Sequence, residues 1–289
     1  MTRVGILTDT TASIPPHLVN ELHIELVPYH VMRAGENLRD AIDIGADALA
    51  DYLRALPNNA KLPTTSFPSP GEYLEGFRKL AQHTREIVAL TMTSKGSGAY
   101  QSCCTAVELF RQENADVRIE VVDTLQVAMA HGWAVIEAAR AAKQDAPLAR
   151  VIARAREVAY KAMMVQTADT LRYLYMGGRI GRAKHLMASL LDIKPLIGMQ
   201  DGVITALGTA RTRARAYARM IEIARAQIGS AGYAHLAFVH CGAAEQAKVL
   251  RDLYFREMNC IEEMITPLSP ALAVHSGPGT VGICFFAEG

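Results

Sequence analysis

Small hydroxyl and carboxylate side chains recur in this chain wherever a short β-branched run ends. Asp9-Thr10-Thr11 closes the run Arg3–Asp9, Thr93-Ser94-Lys95-Gly96-Ser97-Gly98 closes Glu86–Thr93, and Asp123-Thr124 closes Arg118–Asp123. Each group alone reads as an ordinary cap or turn. If the runs are parallel strands, the three line one rim, and open parallel sheets bind ligands beyond the carboxyl ends of their strands. Thr64-Thr65-Ser66 adds a fourth group just ahead of the helix start Pro68-Ser69-Pro70-Gly71. Free amides at a helix N-terminus favour an anion. Ser69 reads as the helix cap, which leaves Thr65 and Ser94 as the leading candidates. Two neutral hydroxyls beside helix N-termini suit one carboxylate and hold it without a full counter-charge.

Other stretches carry weaker signals. His275-Ser276-Gly277-Pro278-Gly279-Thr280-Val281-Gly282 contains a formal G-x-G-x-x-G, but an apolar strand follows where the dinucleotide fingerprint needs a helix. Gly277 and Gly279 instead read as letting His275 and the backbone approach a bound group. Met176-Gly177-Gly178-Arg179-Ile180-Gly181 is either a helix C-cap or a turn that presents Arg179. Arg211, Arg215 and Arg219 repeat every four residues opposite Ala214, Tyr217, Ile221 and Ala224, the pattern of a solvated helix face or of a docking face for an acidic partner or phosphate. His240 and Cys241 are adjacent on a strand and point to opposite faces, against a joint metal site. No P-loop and no G-x-S-x-G elbow occurs.

The elements that must carry these groups read as α/β. The first half alternates the runs above, together with Ile24–Val31, with helical patterns. A helix opens at Ser69, with Pro70 first, Glu72 completing a capping box, and Leu74, Phe77 and Leu80 on one face. Another opens near Ser97, where Tyr100, Cys103, Cys104, Val107 and Phe110 recur at helical spacing, so both Cys read as core. Val127–Ala142 and Leu148–Tyr160 are helical, and Lys161–Ala168 is a strand opening a second unit. That unit shows a hairpin over Leu196–Leu207 with a type I′ turn at Asp201-Gly202. It continues with a helix from Arg211 to Ile228, a strand His235–His240, a helix Ala243–Met258 and a last strand Thr280–Ala287. Two α/β domains, 1–162 and 163–289, follow from this order. The 289 residues, half of them hydrophobic, exclude wholesale disorder, and a net charge of +1 excludes a global field toward nucleic acid or anionic membrane. Five Cys without C-x-x-C spacing, no signal-peptide pattern and no 18-residue apolar run point to a cytoplasmic protein with reduced thiols.

Taken in order, Asp9-Thr10-Thr11-Ala12, Thr65-Ser66-Phe67-Pro68-Ser69, Thr93 to Tyr100, Val122-Asp123-Thr124, Tyr173 to Ile180, Ile193-Lys194-Pro195 and His275 to Gly282 resemble the DegV-like fatty-acid-binding proteins, the acyl-carrier subunits of bacterial fatty acid kinases. The resemblance spans nearly the whole chain. It implies a mainly parallel N-terminal sheet, a mixed C-terminal sheet and a long-chain fatty acid in an apolar tunnel between them, with no other cofactor and no metal. It further implies a carboxyl site of Thr65, Ser94 and His275, with Arg211, Gly277 and Gly279 near the head group or facing the kinase, although Arg213 is a rival for the arginine. Asp9, Thr10, Ser66, Ser97, Gly98, Asp123, Gly178 and Arg179 would form the supporting loops. The implied partners are the fatty acid and a separate ATP-dependent kinase, with no nucleic acid and only transient lipid exchange at membranes. Phe67, where the family often has Gln, and Gly96, where it often has a larger residue, predict a differently shaped loop around the carboxyl. The competing reading is a stand-alone esterase or acyl-transfer enzyme using Ser94 or Ser97 with His275 and Asp9 or Asp123.

Overall fold

The computed structural model describes residues 3–57, 59–189, 193–229 and 233–288. The first half runs β1 (Val4–Asp9), α1 (Pro16–Glu21), β2 (Ile24–Val27), β3 (His30–Arg33), β4 (Glu36–Arg39), α2 (Ala46–Ala55), β5 (Thr64–Ser66), α3 (Pro70–Ala81), β6 (Glu86–Thr91), α4 (Ala99–Glu113), β7 (Arg118–Asp123), α5 (Ala128–Lys143) and α6 (Leu148–Lys161). The second runs β8 (Met163–Thr167), α7 (Arg172–Met176), a 3₁₀ segment (Gly181–Ser189), β9 (Lys194–Gln200), β10 (Val203–Ala210), α8 (Arg213–Ile228), β11 (Ala234–His240), α9 (Ala244–Tyr254), β12 (Glu262–Pro267), α10 (Pro270–Ser276) and β13 (Val281–Ala287).

These elements form two α/β domains. The first holds a parallel sheet in the order β2-β1-β6-β7, the second a mixed sheet in the order β10-β9-β8-β13-β11-β12. The helix with apolar residues on every side, α5, lies where such a helix must, buried between the sheets. Trp133 is fully buried on it and donates its indole N–H to the Cys284 carbonyl of β13 at 3.2 Å. One apolar cluster therefore runs from β1 through α5 into β11 and β13.

Several local expectations hold in detail. Ser69 and Glu72 form the reciprocal capping box at the start of α3. Asp201 and Gly202 both have positive φ, 53° and 77°, as the type I′ turn requires. Cys103 is buried and Cys104 half-buried on α4.

Others are corrected. The run Ile24–Val31 is two strands: Pro28 interrupts it, and β3 leaves the parallel sheet to form a three-stranded sheet β4-β3-β5. Thr64–Ser66, expected as loop, is a strand paired with β3 through Val31 opposite Thr65. The helix expected from Arg211 begins at Arg213, capped by Thr212, so Arg211 lies outside it, and Ala214 is exposed rather than part of the buried stripe. The helix expected over Ala243–Met258 ends at Tyr254. Above all, His275 sits in the last turn of a helix, α10, and not in a glycine-rich loop.

Candidate functional site

A cavity of about 190 Å³ opens between the two domains at the carboxyl end of the parallel sheet. Its walls are mainly apolar, with Met92 after β6, Val127 ahead of α5, Met164 from β8, Met199 from β9, and Leu268 and Leu272 at α10. The β9–β10 hairpin closes one side by docking on the opposite domain: Thr93 Oγ1 donates to the Gly202 carbonyl at 2.8 Å.

Polar groups gather on part of the wall. Thr65, brought in by β5, lies with Oγ1 2.8 Å from His275 Nε2. The second imidazole nitrogen, Nδ1, is buried and has no hydrogen-bond partner. Gly177 makes this placement feasible, because a Cβ there would fall 2.3 Å from His275 Nδ1. Burial, helped by the positive charge of Arg179, pulls the His275 pKa down to about 4, so the ring is neutral at physiological pH. Arg179 lines the cavity from the turn after α7, with Nη1 anchored on the Gly177 carbonyl at 2.7 Å. Lys95 lines it too. Two cationic side chains thus border the cavity beside the neutral hydroxyls.

Ser97 contributes a further hydroxyl, 2.6 Å from the phenol of Tyr29. Burial first, and then the nearby Asp9, raise the Tyr29 pKa well above its ordinary value, so this group stays a neutral donor. Tyr29 is also tied by its backbone N–H to Thr10 Oγ1 at 3.0 Å. Asp9 is fully buried and accepts from the Met92 amide at 3.0 Å and the Thr11 amide at 3.1 Å, which joins the ends of β1 and β6. Asp40 does comparable work under α10. Its Oδ2 accepts from the Ala271 amide at 3.0 Å, while Oδ1 is buried without a partner. Burial raises its pKa to about 6 against the lowering effect of that bond and of the nearby Thr10 and Ser269 hydroxyls.

Not every expected residue reaches the cavity. Ser94 is half-buried outside its lining, with its amide 3.2 Å from Asp123 Oδ1. Asp123 also accepts from the Leu125 amide at 3.0 Å, so it braces two loops. Arg211 is exposed and outside the lining. Gly277 packs on Tyr173, where a Cβ would come within 2.2 Å of the ring. Gly279 faces Asp169 and Arg213 in a separate cleft. Arg213, the rival arginine, is held there by Asp169 at 2.7 Å. Ser66 is exposed on β5, and Gly178 lines the cavity with φ of +70°. Phe67 lines the cavity with its ring lying over Gly98, where a Cβ would clash at 2.5 Å. The pairs an esterase would need are not made: His275 bonds Thr65, Ser97 bonds Tyr29, and Ser94 lies outside.

Tyr29 and Gln166 were not legible as site residues. Tyr29 follows a proline at a strand break, and Gln166 is one polar residue within a buried strand.

Comparisons with known proteins bear on this arrangement. A family profile described as an uncharacterised protein of the DegV family matches residues 3–288. A DegV domain-containing protein of Clostridium perfringens is 30% identical over 285 residues, covering 99% of each chain. A solved DegV family protein from Thermus thermophilus, described by its fatty acid binding, superposes with a TM-score of 0.91 at 27% identity and covers 99% of this chain and 100% of its own. A stearic acid-binding protein from Eubacterium ventriosum shares the fold at a TM-score of 0.90 and 23% identity, covering 99% and 98%.

Proposed function

The chain belongs to the DegV family, and on that footing we propose that it binds a long-chain fatty acid in the interdomain cavity and presents the carboxyl group to a separate ATP-dependent kinase. The observation that carries this reading is an apolar cavity with hydroxyls and cations gathered on part of its wall. The fatty acid binding described for the Thermus thermophilus relative supports it. Burying a C16 tail is worth on the order of 10 kcal/mol before association costs. The head group then needs orientation more than attraction.

In this reading Thr65 donates its hydroxyl proton to the carboxylate while neutral His275 donates Nε2–H to Thr65 Oγ1. Ser97 takes the part expected of Ser94, and Arg179 supplies charge at roughly 1.5–3 kcal/mol per charged hydrogen bond. Asp9, Thr10, Asp123, Gly98 and Gly178 shape the loops. The domains divide at residue 162. No helix among the described residues is long and apolar enough to cross a membrane, in keeping with a cytoplasmic carrier. Exposed Arg211 would serve the kinase side. The chain would hold and present the acid without acting on it.

Mass spectrometry of organic extracts from purified protein tests the binding. A near-stoichiometric long-chain acid is expected, and an empty extract with no uptake on titration would refute the reading. ATP consumption that appears only when a cognate kinase is added tests presentation. Consumption by this chain alone would refute it.

A further inference from the structure

Gln166 stands on β8 with its side chain in the cavity wall, two residues from Met164 and on the same face. The residue is only 3% exposed, and its amide hydrogen-bonds to no described residue. The hydroxyls of the polar region, by contrast, are taken by one another: Thr65 by His275 and Ser97 by Tyr29. Across the sheet Gln166 lies opposite Ile197 and Gly282, and a Cβ on Gly282 would come within 2.8 Å of the Gln166 Cβ. The backbone thus makes room for a polar side chain among apolar neighbours. A carboxamide offers two donors and an acceptor, and a buried one normally finds partners. Without a ligand, water can serve. A methylene chain that displaced this water would leave the amide unpaired, whereas an oxygen on the chain would replace it.

We propose that Gln166 sets ligand specificity by hydrogen-bonding an oxygen carried along the acyl chain, so that the cavity prefers hydroxy or oxo long-chain acids over saturated ones. The proposal rests on the fatty acid reading above and deepens it. The Gln166 amide can donate to either oxygen type and can also accept from a hydroxyl. The carboxylate is left to Thr65 and His275.

The test is displacement of a fluorescent fatty acid from the wild-type protein and from Gln166→Met by stearic acid and by hydroxystearic acids with the hydroxyl at successive positions. The wild type should bind at least one regioisomer about tenfold more tightly than stearic acid. Gln166→Met, close in size and without the amide, should lose that preference and bind stearic acid at least as well. Should that variant not fold, Gln166→Asn, which withdraws the amide by one methylene, should shrink the preference or move it to another regioisomer. Equal affinities throughout the wild-type series overturn the inference and leave fatty acid binding intact. A preference that survives Gln166→Met also overturns it. An equal loss for all acids in the variant overturns it too, by assigning the amide to the carboxyl. Failure of the wild type to bind any of the acids refutes the underlying reading itself.

Discussion

Two polar regions join the domains, and they are built on opposite rules. Along α5 and α6, Arg140 clasps Glu262 at 2.5 and 2.8 Å and reaches Glu137 at 2.9 Å. Arg154 holds Glu137 at 2.5 Å and also bonds Glu288. His235 meets Glu262 at 2.6 Å while stacking on Phe286 at 4.5 Å between ring centres. Glu137, His235 and Glu262 lie close enough together to hold a cation, but guanidinium groups already occupy the two carboxylates. The cavity side is different: His275 Nδ1 is buried without a partner, as is Asp40 Oδ1 beneath α10, and the Gln166 side-chain amide makes no hydrogen bond to a described residue. A satisfied network holds the halves together, whereas an unsatisfied one leaves hydrogen bonds for something else to make.

Two carboxylates, half-buried Glu262 and buried Asp40, make the contrast quantitative. Burial alone would raise Glu262, but hydrogen bonds from Arg140 and His235 outweigh it and bring its pKa down to about 2. Asp40 has one amide partner, nearby hydroxyls and no cation on it, and goes up to about 6. The folded state therefore favours ionised Glu262 and protonated Asp40.

The largest effect should come from Arg154→Met. It leaves Glu137 buried with one guanidinium fewer, and unfolding free energy should fall by about 3–5 kcal/mol in urea titrations. Fatty acid affinity in the folded fraction should hold. A loss below about 1 kcal/mol would place the network among ordinary surface pairs.

Asp40→Asn should work in the opposite direction. With a folded pKa near 6 and an unfolded one near 3.8, wild-type stability falls as pH rises between those values, and the whole cost is present above about pH 6. The variant should gain up to about 3 kcal/mol at pH 7.5 and nothing at pH 3.5. A pH-independent difference in chemical denaturation would show that ionisation of Asp40 is not its cause.

Thr65→Val should weaken fatty acid binding by roughly 1–3 kcal/mol with little change in melting temperature. The comparison breaks if stability falls instead and affinity stays. Gly177→Ala should have the smallest effect, about tenfold in affinity, by pushing His275 off Thr65. An unchanged dissociation constant would mean that the imidazole moves aside without consequence.

Much of this protein could be read locally. β-branched runs ending in Asp, Thr and Ser marked the parallel strands and the rim of the site because strand propensity and turn chemistry act within a few residues. The capping box at Ser69 and Glu72 and the turn at Asp201-Gly202 are legible for the same reason. Val127–Ala142 was legible as a helix, α5, but its burial on every side came from the packing of the two sheets around it.

What escaped depends on partners distant in sequence. Thr65 and His275 are 210 residues apart, and Arg140 and Glu262 are 122 apart. On their helices Arg140 and Arg154 look like solvated charges, since nothing nearby in sequence says that they will be half-buried against distant carboxylates. Ser94 and Ser97 are equally good hydroxyls in the sequence, and only the way the loop leaves β6 puts Ser97 against Tyr29 and Ser94 against Asp123. Local residue types determined where strands end and which chemistry gathers there. Packing two domains around α5 decided which side chains meet, because burial and long-range hydrogen bonding are properties of the folded chain as a whole.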